Sequence, residues 1–278
     1  MKELPVPTLP LMHLLDRRAS APLVRPEPAA APALGDFEVV WARHLDEVRA
    51  AQRLRWSVFV DEMGAKLPDS PHGARLDVDR FDDFCEHLLV RTLPRDGQAG
   101  EVIGTYRVLT PGAARRAGAL YSEGEFDLAP LQSLRPRLVE LGRSCVHADH
   151  RSGGVIMALW GELAAFMARN GLDTMVGCAS ITMHDGGHHA ASLWRQLSAT
   201  HLADAAWRVT PHLPLPVDEL DQTTSTDAPP LLRGYLRCGA KILGAPAWDP
   251  DFNTADLPVM LQLADLPERY RRHFLRLR

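Results

Sequence analysis

The first regular pattern of apolar and polar positions comes at FEVVWA, residues 37–42, whose alternation reads as a strand. In the following LDEVRAAQRLRWSVFVDEMG, Val48, Ala51, Leu54 and Val58 fall at helical spacing, and Gly64 is the natural stop. CEHLLVRTL and EVIGTYRVLT then flank Asp96-Gly97, the chemistry of a turn between antiparallel strands. LVELGRSCV reads as another strand and RSGG as a tight loop. VIMALWGELAAFMARNG reads as a helix with Ile156, Leu159, Leu163 and Phe166 on one face and Gly171 at its end.

TMVGCASI supplies a further strand, DGGHHAASLWRQLSATHL a helix and AWRVTP an extended segment. HLPLPVDELDQTTSTDAPP is a polar, proline-rich connection. PLLRGYLRCGAKILG, DLPVMLQL and LPERYRRHFLRLR give a short helix, a strand and a terminal helix, too little for a core of their own. The expectation is therefore one domain over 36–278, preceded by a tail over 1–35 whose proline- and alanine-rich composition does not sustain a helix. Within that tail, LPLMHLLDRR offers a weaker alternative of contact with a membrane surface.

Composition narrows the class. With 46% hydrophobic and 24% charged residues over 278 positions the chain buries a sizeable core, and a net charge of −4 gives no broad cationic surface for nucleic acid. No apolar run reaches the roughly 18–20 residues of a membrane-spanning helix; the most apolar helix is interrupted by Glu162. Pro5, Pro7 and Pro10 stand where a signal peptide needs an unbroken apolar core. Cys85, Cys145, Cys178 and Cys238 are far apart without a CxxC pair, so free thiols in a cytoplasmic setting are expected. No metal is expected, since His184, His188 and His189 lack the spacing of a zinc ligand set.

The chemistry concentrates in ELGRSCVHADHRSGGVIMALW, where a strand runs through Arg151-Ser152-Gly153-Gly154 into a helix N-terminus. Such a junction presents backbone N–H groups and the positive helix end to a phosphate, although a glycine pair also serves merely to turn the chain. The order of elements resembles the GNAT acyltransferase core, whose Arg/Gln-x-x-Gly-x-Gly/Ala loop cradles a pyrophosphate. Arg151 and Gly154 match that loop, and Ile156 departs from it by placing a bulky side chain where a small one is expected, which favours a donor with a single phosphate.

Arg55 and Phe59, the run DVDRFDD with Asp79 and Asp82, Gly104 and Arg107 in VIGTYR, and Glu140 and Arg143 in ELGRSC resemble the acyl-homoserine-lactone autoinducer synthases. LDVDRFDDFCEHLLV, VELGRSCVHADHRSGGVIMALW and the C-terminal PPLLRGYLRCGAKILGAPAWDPDFNTADLPVMLQLADLPERYRRHF resemble more fully the L-ornithine N-alpha-acyltransferases. That resemblance covers nearly everything after residue 36. It implies an α/β fold with a mixed, mostly antiparallel sheet flanked by helices and extended at the C-terminus. It also implies transfer of a 3-hydroxyacyl group from acyl carrier protein to the alpha-amine of ornithine, with no cofactor beyond the phosphopantetheine of the donor. An autoinducer-type N-acyltransferase and a non-catalytic GNAT-like module are the alternatives.

Acyl transfer to an amine needs a base, an oxyanion donor and a proton for the departing thiol. Glu140 is the candidate base or ammonium-orienting group, and Arg143 pairs with it or with a substrate carboxylate. Arg151, Ser152, Gly153 and Gly154 are the candidates for the donor phosphate. Asp79 and Asp82 suit a cationic amino acid or a solvated loop, Arg107 a carboxylate or an acidic partner, and Arg55 a buried pair with one of those aspartates. Cys145 reads as packing, without a nucleophile motif around it. In the terminal helix Tyr270, Phe274 and Leu277 form an inward face, while Arg269, Arg271, Arg272, Arg276 and Arg278 concentrate positive charge for docking an acidic carrier protein or an anionic membrane.

Overall fold

The computed structural model describes residues 37–67, 74–95, 97, 99–223 and 227–274. The tail predicted over 1–35, Asp96 of the turn, and Arg276, Leu277 and Arg278 lie outside the described residues. The predicted opening strand and helix form as β1 (Phe37–Trp41) and α1 (Leu45–Trp56). Helix α1 does not stop there: Ser57–Glu62 widens into a π-helical turn, from which Val58, Phe59 and Glu62 face the cleft described below. β2 (Glu86–Thr92) and β3 (Val102–Leu109) pair as the expected antiparallel hairpin.

Next come α2 (Pro111–Ala117), which the sequence pattern did not reveal, the two-residue β4 (Phe126–Asp127), β5 (Leu138–Val146), α3 (Gly154–Arg169) and β6 (Thr174–Thr182). α4 (His188–Thr200) follows as expected, but AWRVTP yields only a 3-10 turn and the two-residue β7 (Thr210–Pro211). The C-terminal third contributes α5 (Pro230–Arg237), β8 (Lys241–Ile242), β9 (Ala247–Asp249), β10 (Thr254–Gln262) and α6 (Glu268–Phe274).

The main sheet runs β1-β2-β3-β5-β6-β10-β8, with β9 also on β10, and every neighbouring pair is antiparallel except β5–β6. That one parallel pair is made by the β5–α3–β6 crossover, the long connection that parallel neighbours require. β10 is a central strand that contains Pro258, a residue without an N–H to give its neighbours. It is accommodated because β8 pairs only as far back as Val259 and β9 only as far on as Asp256, and at 258 it is the carbonyl that is used, accepting the Leu243 N–H at 2.8 Å.

Alternation along the strands divides the core between two faces. Leu88, Val90, Tyr106, Val108 and Val139 pack with Leu159, Leu163 and Phe166 of α3. Leu89 and Ala42 meet Val48 and Ala51 of α1, and Cys145 meets Leu54 and Val58. Cys145 is thus packing, and burial pushes its thiol up to about 12.

Candidate active site

One irregularity in β5 organises the site. Arg107 pairs with Gly142 and Thr105 with Cys145, so β5 carries one residue more than β3 across this stretch, a β-bulge. Arg143 adopts φ 50, the left-handed region that non-glycine residues seldom occupy. A one-residue slip exchanges the faces of a strand. The bulge therefore sends Arg143 to the α1 side and Ser144 to the α3 side. β5 and β6 also separate here: only Leu138–Glu140 pair with Thr174–Val176. Gly177 lies just past that parting, where a Cβ would stand 2.3 Å from the Leu141 carbonyl oxygen, so only glycine fits.

A cleft of about 720 Å³ opens along the parting, lined by Arg107, Glu140, Arg143, Ser144, Arg151 and Gly153 among others. A smaller apolar cavity of about 70 Å³ adjoins it between α3, α5 and α6, and Tyr106, Leu141, Trp160 and Tyr235 line both. At that junction the Tyr106 and Tyr235 hydroxyls hydrogen-bond to each other. The structure thus brings together the predicted Glu140, Arg107, Arg143, Arg151 and Gly153.

Glu140 is 4% exposed. Its Oε2 accepts the Tyr121 N–H at 2.5 Å, and its Oε1 accepts the Ser122 N–H at 2.8 Å and the Ser122 hydroxyl at 2.5 Å. Burial raises its pKa, with these bonds acting in the opposite direction. The ion pair between Glu140 and Arg143 that the sequence left open is not formed. Arg143 instead reaches Asp77 and Asp79, each at 3.2 Å, with its guanidinium over the rings of Phe252 at 4.5 Å and Tyr121 at 4.8 Å.

Behind Arg143 lies a closed set of charges. Arg55, with no exposed surface, gives Nε to Asp77 at 2.8 Å and clasps both Asp82 oxygens at 2.9 and 3.0 Å. Arg107 meets Asp79 at 2.7 Å. Three arginines thus face three aspartates, and the Arg55 contacts hold the Asp82 carboxyl down at about 2 against the pull of burial. The expected pair of Arg55 with an aspartate is present. Arg55, Asp79 and Asp82, expected to bind the acceptor, stand behind the lining of the cleft, where the two aspartates are paired with arginine. Asp79 acts on the cleft only by backing Arg107 and Arg143.

At the glycine loop, Gly153 caps α3 with φ 99, the conformation that calls for glycine. Arg151 bonds the Val146 carbonyl at 3.0 Å and Glu62 at 2.7 Å. Ser152 and Gly154 are exposed and do not line the cleft, whereas Ile156 does. On α6, Arg269, Arg271 and Arg272 are exposed while Phe274 is buried and Tyr270 half-buried, the inward face that the spacing predicts. His188 is engaged with the Asp221 backbone N–H.

Sequence reasoning missed Asp77, although it stands in the run DVDRFDD, and it missed Tyr121 and Ser122, which no motif marks. It also passed over Glu125, Asp249 and Asp256. Asp249 and Asp256 are brought to one wall of the cleft by the pairing of β9 with β10, and β10 pairs in turn with β6, which carries Cys178.

Residues 54–161 match the model of an acetyltransferase (GNAT) domain. Among solved structures, the AHL synthase LasI is similar at a TM-score of 0.49 and 12% identity, covering 86% of this chain and 95% of that one. FeeM, an N-acyl amino acid synthase from uncultured soil microbes, is similar at 0.49 and 12%, with 83% and 96% covered. Curated relatives are much nearer in sequence. An L-ornithine N(alpha)-acyltransferase of Rhodobacter capsulatus is 35% identical over 89% of this chain and 97% of the relative. One of Agrobacterium fabrum is 36% identical over 85% and 84%. The fold is that of a GNAT acyltransferase, and at this identity and coverage the chain belongs to the family of L-ornithine N(alpha)-acyltransferases.

Proposed function

We propose that this acyltransferase moves a 3-hydroxyacyl group from the phosphopantetheine of acyl carrier protein to the alpha-amine of L-ornithine, giving lyso-ornithine lipid. The observation that carries the reading is the cleft at the parting of β5 and β6, polar along Glu140 and Arg143 and continuous in its lining with an apolar cavity. An amide-forming enzyme needs that combination: room for an extended thioester arm, an apolar compartment for the chain, and polar groups where the amine attacks. The names of the curated relatives supply ornithine as acceptor.

In this reading the Arg143 guanidinium binds the ornithine carboxylate, and Asp77, Asp79 and the two flanking rings fix its orientation. The amine gives its ammonium proton to the Ser122 hydroxyl, which passes one on to Glu140. The free amine attacks the thioester carbonyl, the C–N bond forms, the C–S bond breaks, and the surplus nitrogen proton ends on the departing thiolate. Arg151, Ser152, Gly153 and Gly154 bind the donor phosphate, with Arg151 released from Glu62. The Ile156 side chain in the cleft favours a single phosphate over a pyrophosphate, hence a carrier protein over coenzyme A. Arg269, Arg271, Arg272 and Arg276 serve the docking of carrier protein or of an anionic membrane. No helix among the described residues is long and apolar enough to cross a membrane.

The test is incubation of the purified protein with 3-hydroxyacyl carrier protein and L-ornithine. The expected product is the alpha-amide, located by fragmentation in mass spectrometry. An alpha-amine titrates near ~8 and a side-chain amine near ~10.4, so the alpha-amine is the readier nucleophile. Acylation on the delta nitrogen, or no amide at all, sinks the assignment.

A further inference from the structure

Where β6, β9 and β10 meet, Cys178, Ser180, Asp249, Thr254 and Asp256 line the cleft. Asp256 is 4% exposed and accepts the Thr254 hydroxyl at 2.9 Å, and Asp249 accepts the N–H groups of Asp251 and Phe252 at 2.9 and 3.1 Å. Behind them stands Glu125. One of its oxygens, the Cys178 sulfur and an Asp256 oxygen all lie within 4.8 Å of one another. Both Glu125 oxygens are shut off from solvent, and the polar groups beside them are the Asp256 carboxyl and the Cys178 thiol. Burial is costly for a carboxylate, and one without a counter-charge is more costly still. Burial and the charges of Asp256 and Asp249 push the Glu125 carboxyl up to about 9, so it keeps its own proton at neutral pH, and the charges that face the cleft are those of Asp256 and Asp249.

A cation to face them has a natural source in the acceptor. The alpha-nitrogen of ornithine is consumed in the amide, whereas its side-chain ammonium stays charged throughout and needs acceptors for three N–H donors. We infer that Asp256 and Asp249, with the Glu125 carboxyl behind them, form the subsite for the side-chain ammonium of the amino-acid acceptor and select a dicationic amino acid over a neutral one of equal length. This rests on ornithine being the acceptor. The location suits it: the Ser122 hydroxyl bonds Glu140 on one side and lies 3.4 Å from the Cys178 sulfur on the other, so the acidic group adjoins the amine-activating end of the cleft. A metal is the rival occupant. Burial beside acidic groups holds the Cys178 thiol well above its ordinary pKa, so it offers a neutral thiol rather than a thiolate ligand.

The experiment compares L-ornithine with L-norvaline, which has the same carbon chain and no side-chain ammonium, using the parent, Asp256→Asn and Asp249→Asn. The parent should prefer ornithine in kcat/KM by about 100-fold or more, since losing a charged hydrogen-bond partner costs about that much. Each variant should lose about 10- to 100-fold on ornithine and keep its rate on norvaline and its KM for the donor. A merely structural role would lower both amino acids together, and that result overturns the subsite. Equal use of the two amino acids by the parent overturns it as well, as does activity that chelator abolishes and zinc restores. If the parent makes no amide from ornithine, the function assignment fails by itself, and calorimetry then decides the subsite. Tighter binding of ornithine than of norvaline, lost in Asp256→Asn, upholds it; equal binding refutes it.

Discussion

Two groups of three carboxylates lie near the same strands and behave in opposite ways. Asp77, Asp79 and Asp82 face Arg55, Arg107 and Arg143, and the Asp82 carboxyl is held down at about 2. In the second group, Glu125, Asp249 and Asp256, burial and neighbouring acids push Glu125 and Asp256 upward instead. The first group is complete without a ligand and ties α1 to β3 and to the β5 bulge. In the second, Asp249 and Asp256 line the open cleft and Glu125 is closed off behind them. Carboxylates near a cleft therefore divide by whether their counter-charge is already built in, and only the incomplete set is poised to read a substrate.

The largest effect should come from breaking the complete set. Arg55→Ala leaves two buried aspartates without their partner and should cost about 3–5 kcal/mol of stability, measured by chemical denaturation. A small loss would mean that the network is better solvated than its geometry implies. On the cleft side, Glu140→Gln should lower turnover about 100- to 10,000-fold with the donor KM nearly unchanged and the defect easing at high pH. Glutamine also meets one backbone amide with an NH₂ group, so Ser122→Ala gives the cleaner reading. It removes the hydroxyl relay, keeps both amides, and should still slow turnover about tenfold or more. Normal rates in Ser122→Ala would reduce Glu140 to a brace for the 121–124 turn.

Acid should distinguish the groups further. His87 donates Nε2–H to the Asp82 carbonyl at 3.0 Å, its Nδ1 is buried without a partner, and burial lowers its pKa from 6.5 to about 4. The neutral ring thus contributes stability that is complete above pH 6.5 and is lost as the pH falls toward 4, on the order of 3 kcal/mol. Asp82 adds a second loss from about 3.8 toward 2. Denaturation curves of His87→Gln should lack the first loss and keep the second. The smallest effect is expected at the surface: Arg271→Gln with Arg272→Gln should raise the KM for carrier protein a few-fold at low salt and leave that for ornithine alone. Identical salt series for variant and parent would make α6 a solvated face.

Local patterns left clear marks in the sequence. Hydrophobic period set β1, the β2–β3 hairpin, β5, α3 and β6, because each buries a face whose spacing is fixed by its own backbone geometry. The glycine loop and the inward face of α6 were equally legible. α2 escaped because its seven residues offer little periodicity, and AWRVTP misled because a short apolar run does not distinguish a strand from a turn.

The side chains that act together were another matter. In the sequence Asp79, Asp82, Asp249 and Asp256 are the same residue type beside similar neighbours. The bulge at Gly142–Arg143 turns Arg143 toward the first aspartates, and the pairing of β9 with β10 sets Asp249 and Asp256 on one wall of the cleft. The sequence by itself determined the family, the order of the main strands and helices from β1 to β6 apart from α2 and β4, and the strand that carries Glu140 and Arg143. Only the tertiary structure decided which carboxylates are neutralised and which are open, because that depends on long-range pairing and on a one-residue shift in register that no local pattern encodes.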